Sequence, residues 1–106
     1  MPRASTTSDV FNAIAEPRRR DILAFLALEE RSVSDIVDAL SLGQPSVSKH
    51  LKVLRDVGLV EVRREGRQMF YRTNLEAMKP LQEFAATFHQ MWRQQLKRIK
   101  VRAEGM

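Results

Sequence analysis

The sequence predicts one mainly α-helical domain with a small β-hairpin. Apolar residues recur at helical spacing through most of the chain. That period breaks once, over residues 59–73, where β-branched and aromatic residues flank Gly66. A chain of 106 residues, 43% hydrophobic and 29% charged, closes one modest core. No repeat, low-complexity tract or long linker divides it, so residues 1–106 are read as one domain.

Residues 1–6 read as a loose tail. From Ser8 the pattern is helical, with Val10, Phe11 and Ile14 on one face. Pro17 suits the first turn of a second helix, where its missing N–H costs nothing. Ile22, Leu23, Phe25 and Leu26 supply that helix's stripe, which ends near Leu28 to Glu30. Ser32 and Asp35 have the spacing of a capping box, and Val33, Ile36, Val37 and Leu40 form the face of a short third helix. Leu42-Gly43 signals a turn. Gln44-Pro45-Ser46 opens a fourth helix with Val47, Leu51, Leu54 and Val57 along one side, and Gly58 stands where a left-handed C-terminal cap is expected.

Leu59–Arg64 and Arg67–Arg72 then read as strands joined through Glu65-Gly66, with the glycine supplying positive φ at the turn. Residues 75–78 form a preliminary turn. Pro80 falls in the first turn of a long last helix, from about Lys79 to about Arg102. At ~1.5 Å per residue this helix is roughly 36 Å long. Leu81, Phe84, Ala85, Phe88, Met91, Trp92, Leu96 and Ile99 recur along it. They offer more apolar surface than a small bundle covers, which predicts a partner surface.

Several functional classes are excluded. Without cysteine there is no disulfide scaffold, thiolate metal site or thiol nucleophile. No nucleophile with a base, glycine-rich phosphate loop or carboxylate pair in a plausible cleft is recognisable, so the chain is not read as an enzyme. No apolar run approaches the ~20 residues of a membrane span. The first eight residues have no apolar core of a signal peptide. The expectation is a cytoplasmic protein with no membrane partner.

The net charge of +5 is unevenly placed. Residues 1–43 sum to −2, residues 44–72 to +4 and residues 73–106 to +3. A local basic stripe suits a polyanion, because each neutralised phosphate releases counterions. The stripe coincides with a short helix, a turn, and a second helix apolar on one side and polar on the other. Residues 32–57 therefore read as a helix-turn-helix, whose second helix can enter a DNA major groove. Its outward residues are Gln44, Ser46, Ser48, Lys49 and Lys52, of types that read base edges or phosphates. Arg63, Arg64, Arg67 and Arg72 surround the hairpin tip.

The ordered motifs are more specific still. Residues 11–23 (FNAIAEPRRRDIL), 44–54 (QPSVSKHLKVL), 56–60 (DVGLV) and 66–71 (GRQMFY) resemble the ArsR/SmtB family of bacterial transcriptional regulators, across about residues 8–100. The resemblance implies a winged helix-turn-helix, with residues 59–73 as the wing. It also implies a homodimer through the first and last helices, the latter within residues 75–102. Such a dimer binds a pseudo-palindromic double-stranded DNA operator as a repressor, relieved by an effector that stays unidentified. The implied interface residues are Val10, Phe11, Ile14, Phe84, Phe88, Met91, Trp92 and Leu96. The implied DNA contacts are Gln44, Ser46, Ser48, Lys49, His50, Lys52, Arg63, Arg64 and Arg67.

Some roles stay open. His50 either packs on Leu54 or donates to a phosphate. Arg19 and Arg20 can reach a phosphate or form internal pairs, and Tyr71 suits hairpin packing better than DNA. The chain departs from the cysteine-bearing metal sensors of the family, because residues 31–35 are Arg-Ser-Val-Ser-Asp. Glu76, Glu83 and His89 are too few for tetrahedral zinc within one chain. No metal and no cofactor are expected, although a site shared between subunits stays open. A winged-helix module that binds protein instead of DNA is the alternative, but it would be expected to show acidic or apolar residues over 44–52.

Overall fold

The structure is a computed structural model and describes residues 6–104. Five helices and three short strands follow in the order α1 (Thr7–Ile14), α2 (Pro17–Leu28), β1 (Arg31–Ser32), α3 (Val33–Leu40), α4 (Gln44–Asp56), β2 (Val60–Glu65), β3 (Gln68–Thr73) and α5 (Lys79–Glu104). A single 3₁₀ turn, Glu76–Met78, precedes α5. Of the tail expected over residues 1–6, residues 1–5 lie outside the described residues. Thr6 is instead the N-cap of α1: its hydroxyl accepts from the Asp9 N–H, and the Asp9 carboxylate accepts from the Thr6 N–H.

The other helix ends follow their sequence. Pro17 opens α2 beneath Glu16, whose carboxylate accepts from the Arg19 N–H. Ser32 and Asp35 close the expected capping box at the start of α3. The α3–α4 turn corrects the expectation in one detail. Ser41 takes the left-handed conformation at φ 55°, whereas Gly43 is extended and caps α4. At the other end of α4, Gly58 has φ +83°. Its N–H donates to the Arg55 carbonyl and that of Leu59 to the Leu54 carbonyl, at 3.0 and 2.9 Å. This is the Schellman pattern, accompanied by burial of Leu54 and Leu59.

β2 and β3 pair antiparallel from Val60↔Thr73 to Glu65↔Gln68, so Gly66 and Arg67 form the two-residue turn. The turn lies one residue later than Glu65-Gly66. Gly66 has φ +62° and is the first central residue, the glycine requirement of a type II′ turn. β1 adds a third strand beside β3 through Arg31↔Tyr71 and Ser32↔Phe70. The sequence reading missed it, since two residues carry no period.

The core joins Val10 and Ala13 of α1, Ile22, Leu23 and Leu26 of α2, Ile36 of α3, Val47, Leu51 and Leu54 of α4, and Leu59 and Val60. Val10 is 6% exposed, so it belongs to this core and not to the outer surface where the interface expectation placed it. Thr73 is the buried polar residue beside these, and its hydroxyl donates to the Leu23 carbonyl at 2.7 Å.

The long helix projects from this body. Its 26 residues span about 39 Å at 1.5 Å per residue, and the described residues extend over 66 × 34 × 20 Å. Phe84, Phe88, Met91, Trp92, Leu96 and Ile99 are each between 46% and 63% exposed. The Phe84 ring meets Phe11 of α1 edge-on at 5.2 Å and Phe88 at 4.9 Å. The aromatic row is therefore tethered at its root and open beyond it.

Candidate nucleic-acid interface

α4 separates its residues by chemistry. Val47, Leu51 and Leu54 are buried and hold the helix down, while Gln44, Ser48, Lys49 and Lys52 are exposed on its other surface. Ser46 is half-buried. Lys52 forms an i,i+4 ion pair with Asp56 at 3.1 Å. That pair is solvent-exposed, worth at most about 1 kcal/mol, and leaves the ammonium accessible. Lys49 has no hydrogen-bond or ion-pair partner among the described residues.

The hairpin divides its arginines by strand alternation. Register places Val60, Val62 and Arg64 on one face with Thr73, Tyr71 and Met69. Tyr71 lines a groove against α4 together with Ser48, Leu51, Lys52 and Arg55, so this face is the one turned towards α4. Arg64 shares it, with its Nε donating to the Gly66 carbonyl at 3.1 Å. Arg67 is exposed at the tip.

Arg63 points the other way. Its guanidinium is held by Glu30 and by Glu65, the latter at 2.9 Å, and lies 5.0 Å from the centre of the Phe70 ring. Hydrogen bonds from Arg63 keep the Glu30 carboxyl below its usual range, and those to Glu30 and Glu65 raise the Arg63 guanidinium further still. The sequence grouped Arg63 with the wing's DNA contacts. In the structure its ion pairs instead fasten β2 to the start of β1. Arg72 is likewise paired on this far face, with Glu61 at 3.0 Å.

His50 is a clasp between helices. Arg19 Nε donates to its Nδ1 at 3.3 Å, and the Glu16 carboxylate lies 3.8 Å from its Nε2. The same Arg19 donates through Nη1 to the Ala13 carbonyl, and Arg20 donates to the Ile14 carbonyl at 2.8 Å. Arg19 and Arg20, left unassigned by sequence, therefore satisfy orphan carbonyls at the end of α1. Burial depresses the His50 pKa below its ordinary 6.5; Glu16 opposes this, while Arg19, Arg18 and Lys49 reinforce it.

The unfolded chain thus binds this proton more tightly than the folded one. The His50 contribution is intact above pH 6.5 and is lost as pH falls through the lower native value. His50→Asn keeps an acceptor near the Nδ1 position but does not titrate. Its stability deficit relative to wild type, measured by urea unfolding, is expected to shrink between pH 7 and pH 5. A deficit constant across that range would refute the coupling.

Known proteins match this geometry. A family model for bacterial regulatory proteins of the ArsR family matches residues 16–62, from the α2 cap through α4 into β2. The transcriptional repressor SdpR of Bacillus subtilis is 31% identical over 72 residues, covering 68% of this chain and 80% of SdpR. The chain belongs to the ArsR family. An ArsR-like regulator from Rhodococcus superposes on 93% of this ArsR-family chain with a TM-score of 0.70, at 29% identity and covering 91% of that chain. A homodimeric winged helix-turn-helix DNA-binding domain from Mycobacterium bovis is 35% identical, with a TM-score of 0.67 and coverage of 77% of this chain and 79% of that one.

The expected architecture, a mainly helical winged helix-turn-helix with a small antiparallel sheet, is the one these relatives share. Three more similar curated relatives are longer, and this ArsR-family chain spans 53%, 60% and 47% of their lengths. The chain has no cysteine, and no three His, Asp or Glu residues gather as metal ligands among the described residues. Its residues therefore do not fit a thiolate metal site. No described helix is long and apolar enough to cross a membrane.

Proposed function

We propose that the protein is a cytoplasmic, homodimeric repressor that binds a pseudo-palindromic DNA operator through α4 and the wing. One observation carries this reading: a helix with an exposed face of Gln44, Ser48, Lys49 and Lys52 is anchored through a buried seam. A helix with its side chains is about 10–12 Å across, matching a major groove of about 12 Å. In this reading Lys49 and Lys52 meet phosphates or base edges, and Gln44 and Ser48 read base edges. Ser46 lies at the margin, and Arg64 and Arg67 follow the backbone alongside. Arg63 and His50 act from behind, holding the wing and α4 in place. The dimer forms through Phe11, Ile14, Phe84, Phe88, Met91, Trp92 and Leu96, which places two copies of α4 on successive turns of the duplex. An effector that relieves binding is part of the proposal, with its chemistry open.

Selection of bound sequences from a random duplex pool tests this directly. Enrichment of an inverted repeat with half-site centres about 10 base pairs apart is expected. Failure to enrich any sequence at low salt would overturn it. Gln44→Ala should relax the preference at one position of each half-site, by about 1–3 kcal/mol. Lys49→Ala should weaken binding and flatten its salt dependence. Unchanged titrations for both variants would remove α4 from the interface.

A further inference from the structure

Arg18, at the second position of α2, is placed against its own local electrostatics. A helix N-terminus carries partial positive charge, so a cation there is unfavourable. Arg18, Arg19 and Arg20 crowd that first turn, and the acid at this end, the N-cap Glu16, spends its carboxylate on the Arg19 N–H. The structure accounts for two of them: Arg19 is bound to His50 and the Ala13 carbonyl, and Arg20 to the Ile14 and Ala15 carbonyls. Arg18 is exposed and forms no hydrogen bond or ion pair with any described residue. Exposed Arg55 presents no such conflict, because it lies in the last turn of α4 where a cation is favourable.

The position of Arg18 supplies what its fold does not. Its neighbour Arg19 bonds directly to His50, so this end of α2 abuts the middle of α4. His50 follows Lys49, the exposed lysine of the outer face. We infer that Arg18 is a DNA-contacting residue, which with Lys49 forms a two-point clamp on backbone phosphates beside the major groove. This rests on the operator-binding reading above and extends the interface to α2. A cation kept at a helix N-terminus without a hydrogen-bond or ion-pair partner of its own among the described residues is a local inconsistency of the kind expected at functional positions.

Arg18→Glu separates the clamp from a structural role. An acid at this position suits the helix dipole, so the melting temperature should rise by about 1–5 °C. Operator affinity, measured by fluorescence anisotropy in about 0.1 M salt, should nevertheless fall by roughly tenfold or more, as a repelled phosphate replaces a bound one. Arg18→Ala should reduce the log–log salt slope by about 1.8, at ~0.9 per phosphate with two copies per dimer. Arg18→Lys should keep most of that slope. The inference is overturned if wild type binds and Arg18→Glu binds equally well with the same slope. It is equally overturned if the Glu variant loses affinity only by melting below wild type. A wild-type protein that ignores every duplex would sink the operator-binding reading itself.

Discussion

Trp92→Glu and Phe88→Glu should each convert the proposed dimer to a monomer and weaken operator binding by ~10²–10⁴-fold, about 3–5.5 kcal/mol. Two DNA-reading modules on one operator gain by effective concentration, and that gain disappears when they separate. Both side chains are more than half exposed on the single chain, so replacing them should leave its core intact. Trp92 gives the cleaner test. Phe88 stacks edge-on with Phe84, and its loss also removes a ring contact worth ~0.5–1.5 kcal/mol. Trp92 has no ring partner among the described residues. Sedimentation velocity should show a slower, monomeric species with unchanged helical circular dichroism. A soluble dimer of wild-type affinity would place the interface elsewhere.

That aromatic row was legible in the sequence because it violates expectation. Apolar residues persist at helical spacing well past the length a small core can bury. The caps were legible for a different reason: Thr6 aside, Pro17, Ser32 and Gly58 act through neighbours within a few positions. What escaped depends on partners far along the chain. Arg63 looks like its neighbour Arg64, and only register and the approach of Glu30, 33 positions earlier, reveal that they face opposite ways. Val10 shares the α1 stripe with Phe11 and Ile14, and only packing shows it inside. The two residues of β1 exist as a strand because β3 offers an edge. Arg18 escaped through the same ambiguity. Three consecutive arginines look alike until two of them are seen bonded to the end of α1 and one is not.

Leu54→Ala should be the most destabilising single truncation on α4, costing about 2–5 kcal/mol against a typical domain stability of about 5–15. Leu54 is fully buried, beside equally buried Leu59, and its carbonyl closes the helix by accepting from the Leu59 N–H. Truncation therefore leaves a cavity where α4 meets the first strand of the wing. Urea unfolding should show a lower midpoint with a similar slope. The variant also separates two ways of losing DNA binding. Leu54→Ala should bind less well only in proportion to its unfolded fraction. Operator in hundredfold excess over Kd should then restore about 2.7 kcal/mol of apparent stability. Lys49→Ala should unfold with wild type, within about 0.5 kcal/mol, because Lys49 is exposed and has no partner among the described residues. Its binding deficit should persist at every temperature at which the protein is folded. If both variants lost binding in step with unfolding, α4 would be a structural strut and the face it presents to solvent would carry no recognition.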